Sequence, residues 1–322
     1  MSNRATFEPI TLSDIEAARV RIAPHVRRTP LTRSDTLSRR LGTNVYLKAE
    51  MFQKTGAFKV RGAFNKMLSI GDRAREHGVV AMSGGNHAQA VAYAARELGM
   101  HALIFMPQST PKNYVDGTRG YGATVSFVPS SIDGFAAMDE YAAKGWVAVH
   151  PFNDPLVMAG QGTAGLEILE DAPQTTDVMV SIGGGGLIGG IATAVKSLRP
   201  DVRVWGVETE GADCMAQALA ANRVVTLGAV TSIARTLGAP AASEETLAAV
   251  RKYVESVTVV SDAEAIAALR LLLERTKMLV EPAGSCTLAA AERLQSRFGP
   301  DRHVVLFLCG GNIGLDDLCR LP

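Results

Sequence analysis

The passage from Val178 to Val195 restricts the fold more than any other. It carries no charge and is long enough on paper to cross a membrane, yet Gly183-Gly184-Gly185-Gly186 lies at its centre. Consecutive glycines break a helix, because glycine loses more backbone freedom on ordering than any other residue. The passage therefore divides into a buried strand, Val178–Ile182, a glycine turn and a helix, Gly186–Leu198. A strand that enters a helix through such a turn is the unit of an α/β fold, and the unit recurs. Asn44–Lys48, Val79–Met82, Ala102–Met106, Thr124–Val128, Val202–Val207 and Val304–Leu308 read as further buried strands. His87–Leu98, Ala263–Thr276 and Ala283–Gln295 read as helices. This alternation predicts right-handed βαβ units, parallel sheet, and ligands at the carboxyl ends of the strands.

No repeat, low-complexity tract or Pro/Ser-rich linker marks a domain boundary. A chain of 322 residues has room for about two domains. Any boundary must then be a structural crossing, for which His150-Pro151-Phe152-Asn153-Asp154-Pro155 is the candidate. The balance of 33 Lys+Arg against 32 Asp+Glu, a net charge of +1, leaves little electrostatic hold on nucleic acid or a membrane surface. The arginines between Arg19 and Arg40 are a local exception. They alternate with apolar residues and proline, and read as solvated faces of helix and loop rather than a binding patch. Cys214, Cys286, Cys309 and Cys319 form no CxxC pair, which argues against a disulfide framework or zinc site and for a reducing compartment. Glu8 and Asp14 come early and no apolar run accompanies them, unlike a signal or transit peptide. A soluble, cytoplasmic protein is expected.

Four motifs carry chemistry. In Gln53-Lys54-Thr55-Gly56-Ala57-Phe58-Lys59-Val60-Arg61-Gly62-Ala63, Lys59 is framed by small and apolar residues. Desolvation there lowers a lysine pKa, as Schiff-base chemistry requires; a surface lysine at a helix start is the plainer reading. Ser83-Gly84-Gly85-Asn86-His87 lies between a strand and a helix. It is either an anion site of free backbone N–H groups or an ordinary helix cap. The glycines from Gly183 to Gly186 read as a phosphate cradle at a helix N-terminus, with a mere tight turn as the plainer alternative. They also fit a dinucleotide fingerprint, with Gly184, Gly186 and Gly189 at G-x-G-x-x-G spacing and Glu208 where a ribose-binding acid would stand. In Leu308-Cys309-Gly310-Gly311-Asn312, Cys309 either offers a thiol to a ligand ring or is a small buried residue before a turn.

Together these motifs resemble the fold type II pyridoxal-phosphate enzymes, in particular the threonine dehydratase and serine racemase group. Thr29-Pro30-Leu31, Thr118-Arg119-Gly120-Tyr121-Gly122-Ala123, Ala159-Gly160-Gln161-Gly162-Thr163 and Glu281-Pro282-Ala283-Gly284 extend the match in collinear order over nearly the whole chain. Little sequence follows Asn312, so the regulatory domain of long biosynthetic threonine dehydratases is not expected.

The resemblance implies a tryptophan synthase β-like α/β fold of two open parallel domains, with pyridoxal 5'-phosphate in the cleft. Residues 1–70 and 149–322 would form the large cofactor-binding domain and 71–148 the small mobile one, in a homodimer. Lys59 then holds the cofactor as its Schiff-base lysine and serves as base and acid at the substrate Cα, with Phe58 against the ring. Gly183, Gly184, Gly185 and Gly186, with Leu187, take the phosphate. Asn86 bonds the ring hydroxyl, Cys309 faces the pyridine nitrogen, and Glu281 lies in a segment passing near the ring. Ser83, Gly84, Gly85, Asn86 and His87 clamp the substrate carboxylate. The implied activity is that of a lyase, converting a β-hydroxy α-amino acid to a 2-oxo acid and ammonia by α,β-elimination, in amino-acid catabolism. A thiol does not keep the pyridine nitrogen protonated as a carboxylate does, which favours elimination over transamination. A racemase or β-replacement enzyme is the alternative within this chemistry, and a nicotinamide-dependent oxidoreductase the remote one.

Three departures from the group's pattern matter. Racemases carry a second serine where this chain has Gly84, so efficient racemisation is not expected. Many relatives bind a divalent cation through a Glu, a main-chain carbonyl and an Asp; Glu208 and Ala212 match the first two, but Cys214 replaces the Asp. Asp213 could substitute, and that site stays open, with no metal ligand assigned. Ile233-Ala234-Arg235-Thr236 stands where relatives carry Ile-Ala-Asp-Gly. Reversing that charge at Arg235 suggests a bulkier or acidic substrate, such as phenylserine or 3-hydroxyaspartate; a surface arginine without a role is the alternative.

Overall fold

The computed structural model describes residues 9–321, the side chains of 73–75 excepted. Glu8 lies outside the described residues. Asp14 completes a capping box with Thr11 at the helix Leu12–Ile22. The described residues form ten strands in two sheets. These are β1 (Leu31–Arg33), β2 (Asn44–Ala49), β3 (Val79–Met82), β4 (Ala102–Pro107), β5 (Thr124–Val128), β6 (Val147–Ala148), β7 (Asp177–Ser181), β8 (Arg203–Thr209), β9 (Ser256–Val260) and β10 (His303–Leu308). One sheet has the order β1-β2-β10-β7-β8-β9, the other β5-β4-β3-β6. Every pairing is parallel except β1 with β2.

The strands expected from apolar runs are present, each within two residues of its expected ends. β1, β6 and β9 were not expected. β1 and β6 have three and two residues, and β9 is a partly exposed edge, so none carries a long apolar run. The uncharged passage divides as read, into β7 and a helix Gly186–Leu198 of 13 residues. Among the described residues no helix is long and apolar enough to cross a membrane.

β7 is buried along its whole length, covered by helices on both faces. Its first residue, Asp177, is a buried carboxylate at the sheet's amino edge. It accepts hydrogen bonds from Arg203 Nε (2.7 Å), Trp205 Nε1 (2.8 Å) and Arg302 Nε (2.8 Å), which ties together the starts of β7, β8 and β10. Four of the arginines from Arg19 to Arg40 pair with surface carboxylates: Arg19 and Arg28 with Glu170, Arg33 with Asp35, and Arg40 with Glu292. They cover solvated faces, as their spacing indicated.

A second buried ionic cluster lies beneath the helix Lys59–His77. Arg61 is fully buried and holds Glu50 through Nε (2.9 Å) and Nη2 (2.8 Å), and Glu167 through Nη1 (2.7 Å). Lys48, also fully buried, donates to Glu167 (2.6 Å) and to the carbonyl of Thr29 (2.7 Å). Two cations and two anions balance, the condition under which charges survive away from water. The cluster fixes the first turn of the helix that begins at Lys59. That helix is interrupted at Gly71 (φ 36°, ψ −107°).

Candidate active site

A cavity of about 730 Å³ lies at the carboxyl ends of β3, β4, β7 and β10, where the two sheets face each other. Loops from both sheets line it, so sequence-distant motifs converge there. Lys59, Ser83 to His87, Gly183 to Leu187, Arg235, Glu281 and Cys309 all reach its wall.

Lys59 is the first residue of its helix, and the turn before it is pinned because Phe58 N donates to the carbonyl of Cys309 (3.1 Å). The ammonium donates to the carbonyl of Pro151 (2.6 Å) and lies 5.2 Å from the centroid of the Phe58 ring. Burial without a carboxylate partner pushes its pKa down from 10.5 to about 8. Phe58 is held edge-on by Phe307, centroids 6.3 Å apart.

Two runs of unsatisfied backbone donors face the same space. Among the described residues, the N–H groups of Gly183 to Ile188 have no acceptor, ahead of the helix that starts at Gly186. Gly185 has φ 94°, a left-handed conformation that only glycine adopts freely, and it turns this row of N–H groups inward. The glycines are also required on their outer side. A Cβ on Gly183 would stand 2.9 Å from the carbonyl of Leu237, and one on Gly184 would enter the Phe152 ring. The second run lies after β3. Gly85 N donates to Ser83 Oγ (3.1 Å), whereas the N–H groups of Gly84, Asn86 and His87 have no acceptor among the described residues. Each presents free N–H donors at a helix N-terminus, an arrangement able to hold an anion with the help of the helix dipole.

The His87 side chain does not serve this loop. Burial and the charge on Lys59 push its pKa down to about 3, so the ring is neutral. Nε2 contacts the carbonyl of Val149 (2.8 Å) and must carry the proton. Nδ1 is left as a buried acceptor without a partner. His87 therefore offers an anion its backbone N–H only.

Glu281 is a buried junction. Its Oε1 accepts from Asn86 Nδ2 (2.7 Å) and Thr236 Oγ1 (2.7 Å), and its Oε2 from Tyr114 OH (3.4 Å). Burial raises its pKa and the three donors oppose the rise. Asn86 Oδ1 in turn accepts from Asn312 Nδ2 (2.8 Å). Cys309 is buried beside Glu281 and Ser181; burial first, then the Glu281 charge, push its thiol far above the usual range, so it stays protonated.

Arg235 opens the short turn Arg235–Leu237 at the cavity mouth. It is exposed, and no carboxylate among the described residues pairs with it. Tyr114, Ser181, Thr236 and Thr110 were not anticipated. Ser181 ends β7, and the others sit in a loop, helix or turn that lines the cavity; hydroxyl residues are too common in such places for one to stand out.

Glu208 is placed differently from either sequence reading. It is fully buried, and its two oxygens accept from Met215 N (2.9 Å) and Ala216 N (2.8 Å), capping the helix Cys214–Ala221. Burial pushes its pKa up to about 8. An acid whose oxygens are both used by backbone donors cannot reach a ribose, so the dinucleotide reading of the glycine loop fails on this residue. Cys214 Sγ points to the carbonyl of Gly183 (3.6 Å), and Asp213 receives Gln217 Nε2 (3.2 Å).

A family model described as pyridoxal-phosphate dependent enzyme matches residues 22–310. An L-threonine ammonia-lyase of Geobacter sulfurreducens is 43% identical over 309 residues, covering 95% of this chain and 76% of the relative. Among solved structures, maize serine racemase superposes with a TM-score of 0.92 at 36% identity, covering 97% of each chain. A threonine deaminase of T.th. superposes with a TM-score of 0.85 at 42% identity, covering 95% of this chain and 99% of that one.

Proposed function

Because the chain belongs to the pyridoxal-phosphate dependent enzyme family, we propose that it is a dehydratase that converts a β-hydroxy α-amino acid of the threonine or serine type to a 2-oxo acid and ammonia. The observation that carries this reading is a lysine of lowered pKa between two separate nests of unpaired N–H groups in one cavity. One nest suits the cofactor's phosphate, the other a substrate carboxylate.

The residues present fit pyridoxal phosphate. The N–H groups of Gly183 to Ile188 would take its phosphate, Lys59 its carbonyl carbon, Phe58 a ring face, and Asn86 and Cys309 the ring edge. When bound, the cofactor would supply an electron sink for the substrate Cα and a phosphate able to act as an acid. Near neutrality Lys59 divides between charged and neutral forms, as a group that must take a proton from Cα and return it requires. The Ser83–His87 loop orients the substrate through its carboxylate. Glu281 holds Asn86 and the Thr236 turn in register with that loop. The thiol of Cys309 remains neutral, so no carboxylate charge faces the ring edge from that strand.

Arg235, exposed and unpaired at the mouth, supports a preference for substrates with an acidic or aromatic β-side, such as 3-hydroxyaspartate or phenylserine. A racemase is the second reading, favoured by the likeness to serine racemase, and Gly84 opposes it because it offers no proton-donating side chain. We further propose residues 1–70 with 149–322 as the large domain and 71–148 as the mobile one, in a cytoplasmic homodimer. The helix interruption at Gly71 and four free cysteines support the boundary and the compartment respectively.

The test is the visible spectrum of purified protein before and after borohydride, with mapping of the reduced lysine, followed by 2-oxo acid release from a panel of β-hydroxy amino acids. A yellow band bleached by borohydride, label on Lys59 and 2-oxo acid release are expected. A colourless protein that stays so with added pyridoxal phosphate, or a coloured one that releases only the opposite enantiomer, overturns the reading.

A further inference from the structure

We propose that the Thr110 hydroxyl is a substrate-binding group that donates to the α-carboxylate of the amino acid, beside the free N–H groups of the Ser83–His87 loop. This rests on the dehydratase reading and extends it to a residue outside the recognised motifs.

Thr110 lies in the loop after β4, between Pro107 and Pro111, and its N–H donates to the carbonyl of Pro107 (2.9 Å). A residue before proline is confined to extended backbone, and a β-branched side chain has few rotamers, so this hydroxyl is held in place. Thr110 lines the cavity. Its Oγ1 is buried and has no hydrogen-bond partner in the protein. A buried hydroxyl left unpaired is costly and is expected only where something else satisfies it.

The position of Oγ1 indicates what does. A Cβ built on Gly84 would stand 2.6 Å from it, so the Thr110 hydroxyl occupies the space that a side chain at position 84 would fill. It therefore borders the loop in which Gly84, Asn86 and His87 N–H lack acceptors. A group able to satisfy three N–H donors and one O–H together is an acceptor-rich anion, and the substrate's carboxylate is the one the reaction brings. The same contact explains Gly84: with threonine at 110, any side chain there collides.

The experiment uses the cofactor-loaded enzyme and propionate, a carboxylate with neither an amino nor a β-hydroxyl group, with its dissociation constant measured by calorimetry. Thr110→Val should weaken propionate about tenfold, the value of one hydrogen bond to a charged group, and raise KM for threonine more than it lowers kcat. Thr110→Ser should keep propionate affinity within about twofold, since the hydroxyl is retained. Gly84→Ser should lose propionate binding, and adding Thr110→Ala should restore it, because the collision is removed and a hydroxyl returned. Unchanged propionate affinity in Thr110→Val overturns the proposal, and a raised threonine KM beside it would assign the hydroxyl to the β-hydroxyl. Failure of Gly84→Ser/Thr110→Ala to recover binding, while both single variants retain the cofactor, also overturns it. Intact propionate binding in a wild-type protein that eliminates nothing would instead count against the dehydratase reading.

Discussion

Replacing Lys59 with methionine should stabilise the cofactor-free protein near neutral pH. The ammonium is held at the cavity wall by one carbonyl, with no carboxylate near it, and its pKa falls from 10.5 to about 8. Below pH 8 the side chain is charged in both folded and unfolded chains, so the folded form bears the whole desolvation cost. A fall from 10.5 to about 8 corresponds to roughly 3–4 kcal/mol. Losing the hydrogen bond to Pro151 returns about 1 kcal/mol. A further discount for the partly exposed chain leaves about 2 kcal/mol in favour of Lys59→Met. With about 2.1 cal/mol/K of unfolding entropy per residue, that raises the midpoint of a chain this size by about 3 °C. The sign fixes the pH dependence. Between pH 8 and 10.5 the unfolded chain binds more protons at this site than the folded one, so wild-type stability rises with pH and the gap closes. Thermal unfolding of both cofactor-free proteins at pH 7, 9 and 10.5 reads this directly. A variant no more stable than wild type at pH 7, or a gap of constant size across the series, refutes the reasoning.

Arg235→Asp should shift relative kcat/KM from 3-hydroxyaspartate toward threonine by about tenfold or more, the worth of one charge-assisted hydrogen bond; equal ratios in wild type and variant would remove Arg235 from substrate choice. Glu167→Ala leaves Arg61 with Glu50, and the buried Lys48 with the Thr29 carbonyl and Asp171 at 3.9 Å, and should cost about 3–5 kcal/mol in denaturant unfolding; a loss below about 1 kcal/mol would mean that water enters the cluster. Alkylation of native protein should modify Cys319 alone, since Cys214, Cys286 and Cys309 are buried and their thiols are pushed upward; label on Cys309 in peptide maps would contradict the neutral, enclosed thiol described above.

The fold could be read from the sequence because the central strands are buried on both faces and so appear as unbroken apolar runs. β7 and the helix after it are the plainest case, since four glycines place the turn to within one residue. β9 escaped because an edge strand half-buried along most of its length needs no such run. In the site, glycine-rich loops and Lys59 could be found because their composition is improbable elsewhere. The Glu281 junction could not be foreseen, since Asn86, Tyr114 and Thr236 are brought to it by tertiary folding alone. Glu208 shows the converse error. Its position at the end of a strand fitted a ribose ligand, but the structure uses both oxygens on a helix end a few residues on.

The placement of β10 bears on the order in which the molecule is made. Its residues pair with Asn44–Ala49 on one side and Asp177–Met179 on the other, although His303 follows Asn44 by about 260 positions. On the ribosome, β2 and β7 therefore emerge long before the strand that belongs between them, each with an open apolar flank. The sheet of β3 to β6 has all its members within Val79–Ala148 and can assemble while synthesis continues. Chains released before Leu308 should then hold a protease-resistant fragment around that sheet while the glycine loop remains cleavable. The nascent chain is most exposed to aggregation in the interval before β10 arrives.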